Sequence, residues 1–194
     1  MVEKTIDPNS LLKSLAHIDT EKSLPPVDKW HPERIYKIDI RIARDGSWFH
    51  EGDRIKRQQL VKLFSSILRK DSDGKTYLVT PAEQAEIEVE DAHFQMIDFD
   101  QIGEGENQQL VFTNSVGDRT VAGSEHAIFQ KTNIENGEEN PYVEVRHGLT
   151  GRVVRAAYYR LVDIAVEKEI DGENWFGVWS SGVFFKLGPV ASDE

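Results

Sequence analysis

The chain has 194 residues, a net charge of −11 and no cysteine. That length suits one large domain or two small ones, and the missing thiols exclude a disulfide framework, a thiolate nucleophile and every cysteine-ligated metal site. A field of this sign repels a phosphate backbone, so nucleic acid is not an expected partner; with no basic-then-apolar leader and no run near the roughly 20 apolar residues of a membrane helix, a cytoplasmic protein without membrane contact is expected.

Asp7-Pro8 reads as a helix cap and first position, and Leu11, Leu12, Leu15 and Ile18 make one stripe, which predicts a short helix over residues 8–18. Ser23-Leu24-Pro25-Pro26 breaks it and opens an extended connector that runs on through Trp30-His31-Pro32. Ile38, Ile40 and Ile42 alternate with Asp39 and Arg41, the pattern of a half-buried strand; Asp45-Gly46 then turns the chain into Trp48-Phe49-His50. Glu51-Gly52-Asp53 is read as a strand stop and helix cap, with Ile55, Leu60, Leu63, Phe64, Ile67 and Leu68 on one helix face. Asp73-Gly74 leads into the strand Thr76–Val79. Thr80-Pro81-Ala82-Glu83 has the pattern of a capping box and predicts a single helical turn. Ile87 and Val89 alternate with Glu86, Glu88 and Glu90, which predicts an edge strand with an acidic face.

The middle of the chain is strand-rich, through Phe94–Phe99, Leu110–Phe112 and Arg119–Val121. Asn136-Gly137 to Asn140-Pro141 reads as a polar loop, and Tyr142–Arg146 as the strand after it. A second helix is predicted from Thr150 to Glu167, apolar on most sides of its first turns and so deeply buried. Trp175–Val178 and Val183–Leu187 make a closing hairpin.

The chain repeats itself. The spacing that carries Arg54 onto Arg152 also carries Arg57 onto Arg155, Leu63 onto Leu161, and Asp73-Gly74 onto Asp171-Gly172. Two copies of a helix-then-hairpin unit imply a duplicated architecture. Each copy sets two arginines, three residues apart, in the first turn of its helix, where the dipole disfavours cations. Free N–H groups there favour an anion, and guanidinium groups add paired donors; neutralising a buried carboxylate such as Glu51 or Asp53 would serve equally. Charge is also segregated, since Arg54 to Lys70 holds no acid and Glu83 to Glu106 no Lys or Arg. Either these surfaces neutralise each other, or a basic groove in an acidic protein focuses a small anion.

Aromatic residues flank both helices: Trp48, Phe49, Tyr77, Tyr158, Tyr159, Trp175, Phe176 and Trp179. Most belong in a core. Trp179-Ser180-Ser181-Gly182, at a hairpin tip, is the best candidate to stack on a planar ring. No nucleophile elbow, phosphate-binding loop or dinucleotide fingerprint is present. Asp71-Ser72-Asp73-Gly74 fails as a calcium loop, because Arg69 and Thr80 would fall at its first and last ligand positions. His50 and Glu51 are neighbours on a strand and point to opposite faces, so they do not form a base and its orienter. No catalytic residue, metal ligand or cofactor is predicted.

Asp45 to Gly52, followed by Ile55, Arg57 and Leu60–Phe64, resembles the bacterial domain-of-unknown-function family DUF 1285. So do Thr80–Glu83 with Ile87 and Val89; Pro141–Val143 with Arg146, Gly148-Leu149 and Arg155; and Gly177–Gly182 with Phe185 and Leu187-Gly188. The resemblance runs in order from about residue 24 to 188. It implies an α+β fold with a duplicated core and a C-terminal half that is a pleckstrin-homology-like sheet with one packed helix. It also implies a site at the interface of the halves for a nucleotide-like ligand, and a role in bacterial signal transduction.

The expected layout is an N-terminal helix and connector over residues 1–26, an α+β domain over 27–91 and a pleckstrin-homology-like domain over 92–194, the last two packed face to face with both helices and both Asp-Gly hairpins at the junction. The expected function is a non-enzymatic sensor or adaptor for a small anionic ligand. Arg57 and Arg155 would hold its phosphate, with Arg54, Arg146 and Arg152 in support. Trp48 and Trp179 would stack, and Thr80, Ser180 and Ser181 would supply hydrogen bonds. The alternatives are a protein-interaction module using the acidic strand from Glu86 to Glu90, and an enzyme on a phosphorylated metabolite.

Overall fold

The computed structural model describes residues 24–132 and 137–190. The helix expected over residues 8–18 lies outside them, as does Asn136 of the expected loop. Among the described residues the chain is mostly β-sheet with two short α-helices, α+β in outline, and it divides into two compact units between Ala92 and His93.

In the N-terminal unit the alternation of isoleucines works as expected. Ile38, Ile40 and Ile42 are buried along β1 (Arg34–Ile42). The Asp45-Gly46 turn returns the chain as β2 (Trp48–His50), antiparallel to β1. Glu51-Gly52 does not cap a helix. It is a two-residue turn into β3 (Asp53–Arg54), with both residues at positive φ, the backbone of a type I′ hairpin. The helix α1 is therefore shorter than expected, Gln58–Ser66. Its buried side includes Val61 and Phe64; Phe64 stacks on Trp48 with ring centroids 6.1 Å apart, burial that stabilises by about 2–3 kcal/mol.

After α1 come β4 (Leu68–Lys70), β5 (Thr76–Val79) and β6 (Glu83–Val89), completing a sheet of order β3-β2-β1-β6-β5-β4. Two expectations fail here. Thr80–Glu83 forms no helical turn: the Thr80 hydroxyl accepts from the N–H of Glu83 at 3.1 Å and of Ala82 at 3.3 Å, closing a bend that opens directly into β6. Nor is β6 an edge. It lies between β1, to which it is parallel, and β5. Its acidic alternation is complementary to β1, since Lys37 stands opposite Glu86 and Arg41 opposite Glu88, and opposite charges across a strand pair are favourable. The proline-rich connector is pinned rather than loose. Val27–Lys29 make a 3-10 turn, and the Arg69 guanidinium donates to the carbonyls of Val27 (2.9 Å) and Trp30 (2.7 Å) while paired with Asp71.

The C-terminal unit has a second six-stranded sheet, built from β7 (Phe94–Ile102), β8 (Gln109–Asn114), β9 (Arg119–Val121), β10 (Ile128–Thr132), β11 (Glu139–Arg146) and β12 (Leu149–Val153) in the order β10-β11-β12-β7-β8-β9. Asn140 and Pro141 belong to β11, not to a loop; Pro141 lies opposite Gln130. The second helix, α2, spans Arg155–Asp163, because residues from Leu149 to Val153 are taken by β12. It is not deeply buried. Only Ala157 and Leu161 are, while Tyr159 and Val162 face solvent, so the apolar density read from this segment is shared between a strand and one helix face. β13 (Val166–Ile170), β14 (Glu173–Ser180) and β15 (Val183–Pro189) form a separate three-stranded sheet.

Candidate functional site

The anticipated arginine pairs are split by the local structure. Arg57 is the N-cap of α1, with extended backbone, and Arg155 is the first residue of α2. Arg54 and Arg152 are not in helices but in β3 and β12. Arg57 is exposed, and its guanidinium lies 3.5 Å from the Gln59 amide oxygen, a long contact. Arg155 donates to the Tyr159 hydroxyl at 2.8 Å and lies 5.6 Å from the centre of that ring. Among the described residues neither guanidinium has a carboxylate within ion-pair distance. Neither helix has a side-chain cap or an acid in its first turn, so among the described residues no cap answers the free N–H groups at either start.

The supporting arginines have other work. Arg54 is exposed and helps to hold the Asp45 carboxyl below its ordinary range, after the Ser47 N–H that bonds it. Arg152 donates to the Asn140 side-chain oxygen at 2.6 Å. Arg146 is largely buried, 3.9 Å from Asp118 and 5.2 Å from the Phe94 ring centre. Trp48 is core, only 3% exposed beneath α1. Trp179 is half-buried, edge-on to Phe184 at 5.3 Å, with the Lys168 ammonium 4.1 Å from its ring centre. The hydroxyls of Thr80 and Ser180 are fully buried. Ser180 Oγ accepts from the Leu110 N–H at 2.9 Å and donates to the Ala122 carbonyl at 2.8 Å, which ties the three-stranded sheet to the larger one. Ser181, at positive φ in the turn after β14, also donates to Ala122, at 2.9 Å.

The structure shows a concave site that the sequence reading missed. A cavity of about 380 Å³ lies in the C-terminal unit, bounded by β10, β14 and β15. Its apolar walls include Ile128, Phe129, Phe184 and Leu187, and its polar members include Gln130, Trp175 and Lys186. The Lys186 ammonium sits 4.0 Å from the centre of the Trp175 ring. Two of the lining residues carry a buried polar atom with no hydrogen-bond partner among the described residues, the Trp175 indole nitrogen and the Gln130 side-chain oxygen. Trp175 was visible in the sequence as one of a cluster of aromatics, but nothing there separated it from the core. Gln130 and Lys186 had no signal, because strand order alone brings them together.

The clearest titration feature lies elsewhere, at the β4–β5 turn. Tyr77 donates to an Asp73 carboxylate oxygen at 2.7 Å. That bond pushes the phenol up to about 12 and holds the Asp73 carboxyl below its usual range. Its partners are all structural. Among the described residues no cluster of His, Asp or Glu has the make-up of a metal site, and no helix is long and apolar enough to cross a membrane.

Residues 25–92 match the family model described as domain of unknown function (DUF1285), N-terminal domain, and residues 93–187 match that of protein of unknown function (DUF1285), C-terminal domain. Among solved structures, a DUF1285 family protein from Silicibacter pomeroyi DSS-3 is 45% identical, with 93% of this chain and 95% of that one covered and a TM-score of 0.83. Another, from Shewanella baltica OS155, is 27% identical over 64% of this chain and 90% of that one, with a TM-score of 0.49. No curated protein matches the chain.

Proposed function

Because the chain belongs to the DUF1285 family, whose description states no function, we propose one from its own side chains: a non-enzymatic cytoplasmic sensor or adaptor in bacterial signal transduction that binds a small anionic, nucleotide-like ligand. One observation carries this reading. Each unit has a helix whose first turn lacks both an acid and a side-chain cap, and each helix start bears an exposed guanidinium with no carboxylate partner among the described residues, Arg57 in one and Arg155 in the other. A cation beside the positive pole of a helix is unfavourable by itself. A phosphate between them reverses the sign, accepting from the free N–H groups and pairing with the guanidinium. The commitment of Ser180 and Thr80 to backbone groups supports binding over chemistry, since neither hydroxyl is poised as a nucleophile.

The same proposal takes the two units as products of a duplication and the C-terminal one as pleckstrin-homology-like. Support for the first is that both six-stranded sheets have a parallel pair at the centre; support for the second is the combination of two sheets and one helix in that unit.

The test is a thermal-shift screen at low salt with ATP, GTP, cyclic nucleotides and inorganic phosphate. A nucleotide should raise the melting temperature, and Arg57→Ala with Arg155→Ala should abolish the rise. No rise with any probe, or one that survives the double substitution, would reject the reading.

A further inference from the structure

We infer that the cavity beside β10 and β15 is a separate binding site, for a small carboxylate carried on an apolar body with a neighbouring N–H or O–H group. It shares no residue with the anion sites proposed above. Its volume, about 380 Å³, is in the range of small-molecule pockets. Ile128, Phe129, Phe184 and Leu187 offer an apolar body a surface removed from water.

The polar groups define the rest of the ligand. An indole N–H and an amide oxygen buried without partners each cost roughly 1–3 kcal/mol, and such groups in a native fold call for a partner, which the described residues do not supply. Here both belong to residues of one cavity wall, Trp175 and Gln130. The Gln130 amide nitrogen is already directed to the Leu187 carbonyl at 3.3 Å, which assigns its oxygen as the open acceptor. Trp175 Nε1 is a buried donor with no acceptor among the described residues. The Lys186 ammonium lies over the same indole, 4.0 Å from its centre, and has no carboxylate within ion-pair distance among the described residues.

An indole N–H points outward in the ring plane, while this ammonium stands above the ring face. An anionic oxygen at the ring edge can accept from the indole N–H, while the ammonium above the ring face attracts its charge. A carboxylate supplies that oxygen, and an adjacent N–H or O–H answers Gln130. Glu139 is also on the lining, where its carboxylate accepts from the Thr132 hydroxyl. That acid opposes a ligand of high negative charge, which favours a monoanion over a polyphosphate.

N-acetylphenylalanine contains each element, and its neutral amide lacks only the charge. The full-length protein, labelled with ¹⁵N, has four tryptophan indole cross-peaks to follow, and Trp175→Phe identifies one of them. Titration with N-acetylphenylalanine should shift the Trp175 cross-peak saturably. The amide should bind at least tenfold more weakly, and Lys186→Met should weaken the acid about tenfold. Lys186 is exposed, so the methionine variant should keep the wild-type melting temperature. No shift of the Trp175 cross-peak at millimolar acid, equal binding of acid and amide, or an equal shift with ATP would each overturn the assignment.

Discussion

The two six-stranded sheets are threaded by one route but take their helix at different points. In the N-terminal unit the chain runs outward from the centre through β1, β2 and β3, crosses to the far edge, and returns inward through β4, β5 and β6 to lie parallel to β1. In the C-terminal unit β7, β8 and β9 run outward, and β10, β11 and β12 return to lie parallel to β7. The first crossing contains α1, whereas α2 comes only after the second sheet is complete. The spacing that superposes the two helix-and-hairpin segments therefore does not superpose the sheets. It places Arg54, on an edge strand, against Arg152, on an interior one. A helix followed by a hairpin is a local unit, and tertiary context decides which sheet it joins: β4 and β5 extend the large sheet, whereas β13 and β14 enter the small one.

The shared Asp-Gly dipeptide shows the same freedom at smaller scale. Asp171 and Gly172 are both at positive φ and form the whole turn between Ile170 and Glu173, the geometry of a type I′ hairpin. Asp73 is not among the residues at positive φ; only Gly74 is, in a longer turn whose Asp73 carboxylate accepts from the Lys75 N–H at 2.9 Å and from Tyr77. One dipeptide is used for its backbone, the other for its side chain.

The largest expected effects test how firmly each helix is anchored. Phe64→Ala should cost about 4 kcal/mol and Leu161→Ala about 3 kcal/mol in denaturant titrations; equal losses would erase the contrast between a helix seated on a tryptophan and one held by Leu161 and Ala157. Asp171→Val forces a branched side chain into the left-handed region and should destabilise by about 1–2 kcal/mol, and Asp171→Asn should be nearly neutral. If valine were tolerated at 171, the distinction between the two turns would fail.

The turn that works through its side chain should respond to pH instead. Tyr77 is raised to about 12 when folded, so its bond to Asp73 contributes fully below the ordinary tyrosine range near 10 and is lost as pH climbs toward 12. Asp73 is lowered, so the same bond is lost at the acid end as pH falls below the ordinary aspartate range. Absorbance at 295 nm should show one of the five tyrosines ionising late, and Tyr77→Phe should remove that step and flatten the alkaline fall in stability. The smallest effect is expected at the helix starts. Arg57→Ala and Arg155→Ala should each change stability by less than about 0.5 kcal/mol, measured without ligand; a larger loss would mean that these groups hold the fold together.

Local pattern was legible in the sequence where the cause was local. The isoleucine alternation of β1 and the Asp-Gly turns each depend on neighbours within a few residues, whereas of the stripe read for α1 only Leu60, Leu63 and Phe64 lie in the helix. What could not be read depended on distant partners. The glutamates of β6 look like an exposed edge until Lys37 and Arg41 are placed beside them. At Thr80–Glu83 only the threonine half of a capping box forms, because the Thr80 N–H bonds the Glu83 carbonyl and the Glu83 carboxylate pairs with Arg34. Val153 reads as helix because its apolar neighbours do, yet it is bonded into β12 opposite Met96. Arg57 and Arg155 do stand at helix starts, where the sequence pattern put them. The cavity was not legible, since its walls come from strands of two different sheets.

The parallel pair at the middle of each large sheet has a kinetic consequence. Arg34 and Glu83, bonded across β1 and β6, are 49 residues apart, and His93 and Thr150, beside the β7–β12 pair, are 57 apart. Closing such long loops precedes any reward from the contact, so topologies of this kind fold slowly, on the millisecond-to-second scale. During synthesis β1 and β2 leave the ribosome well before β6, the parallel neighbour of β1. The central seam of the first sheet cannot close until β6 has emerged.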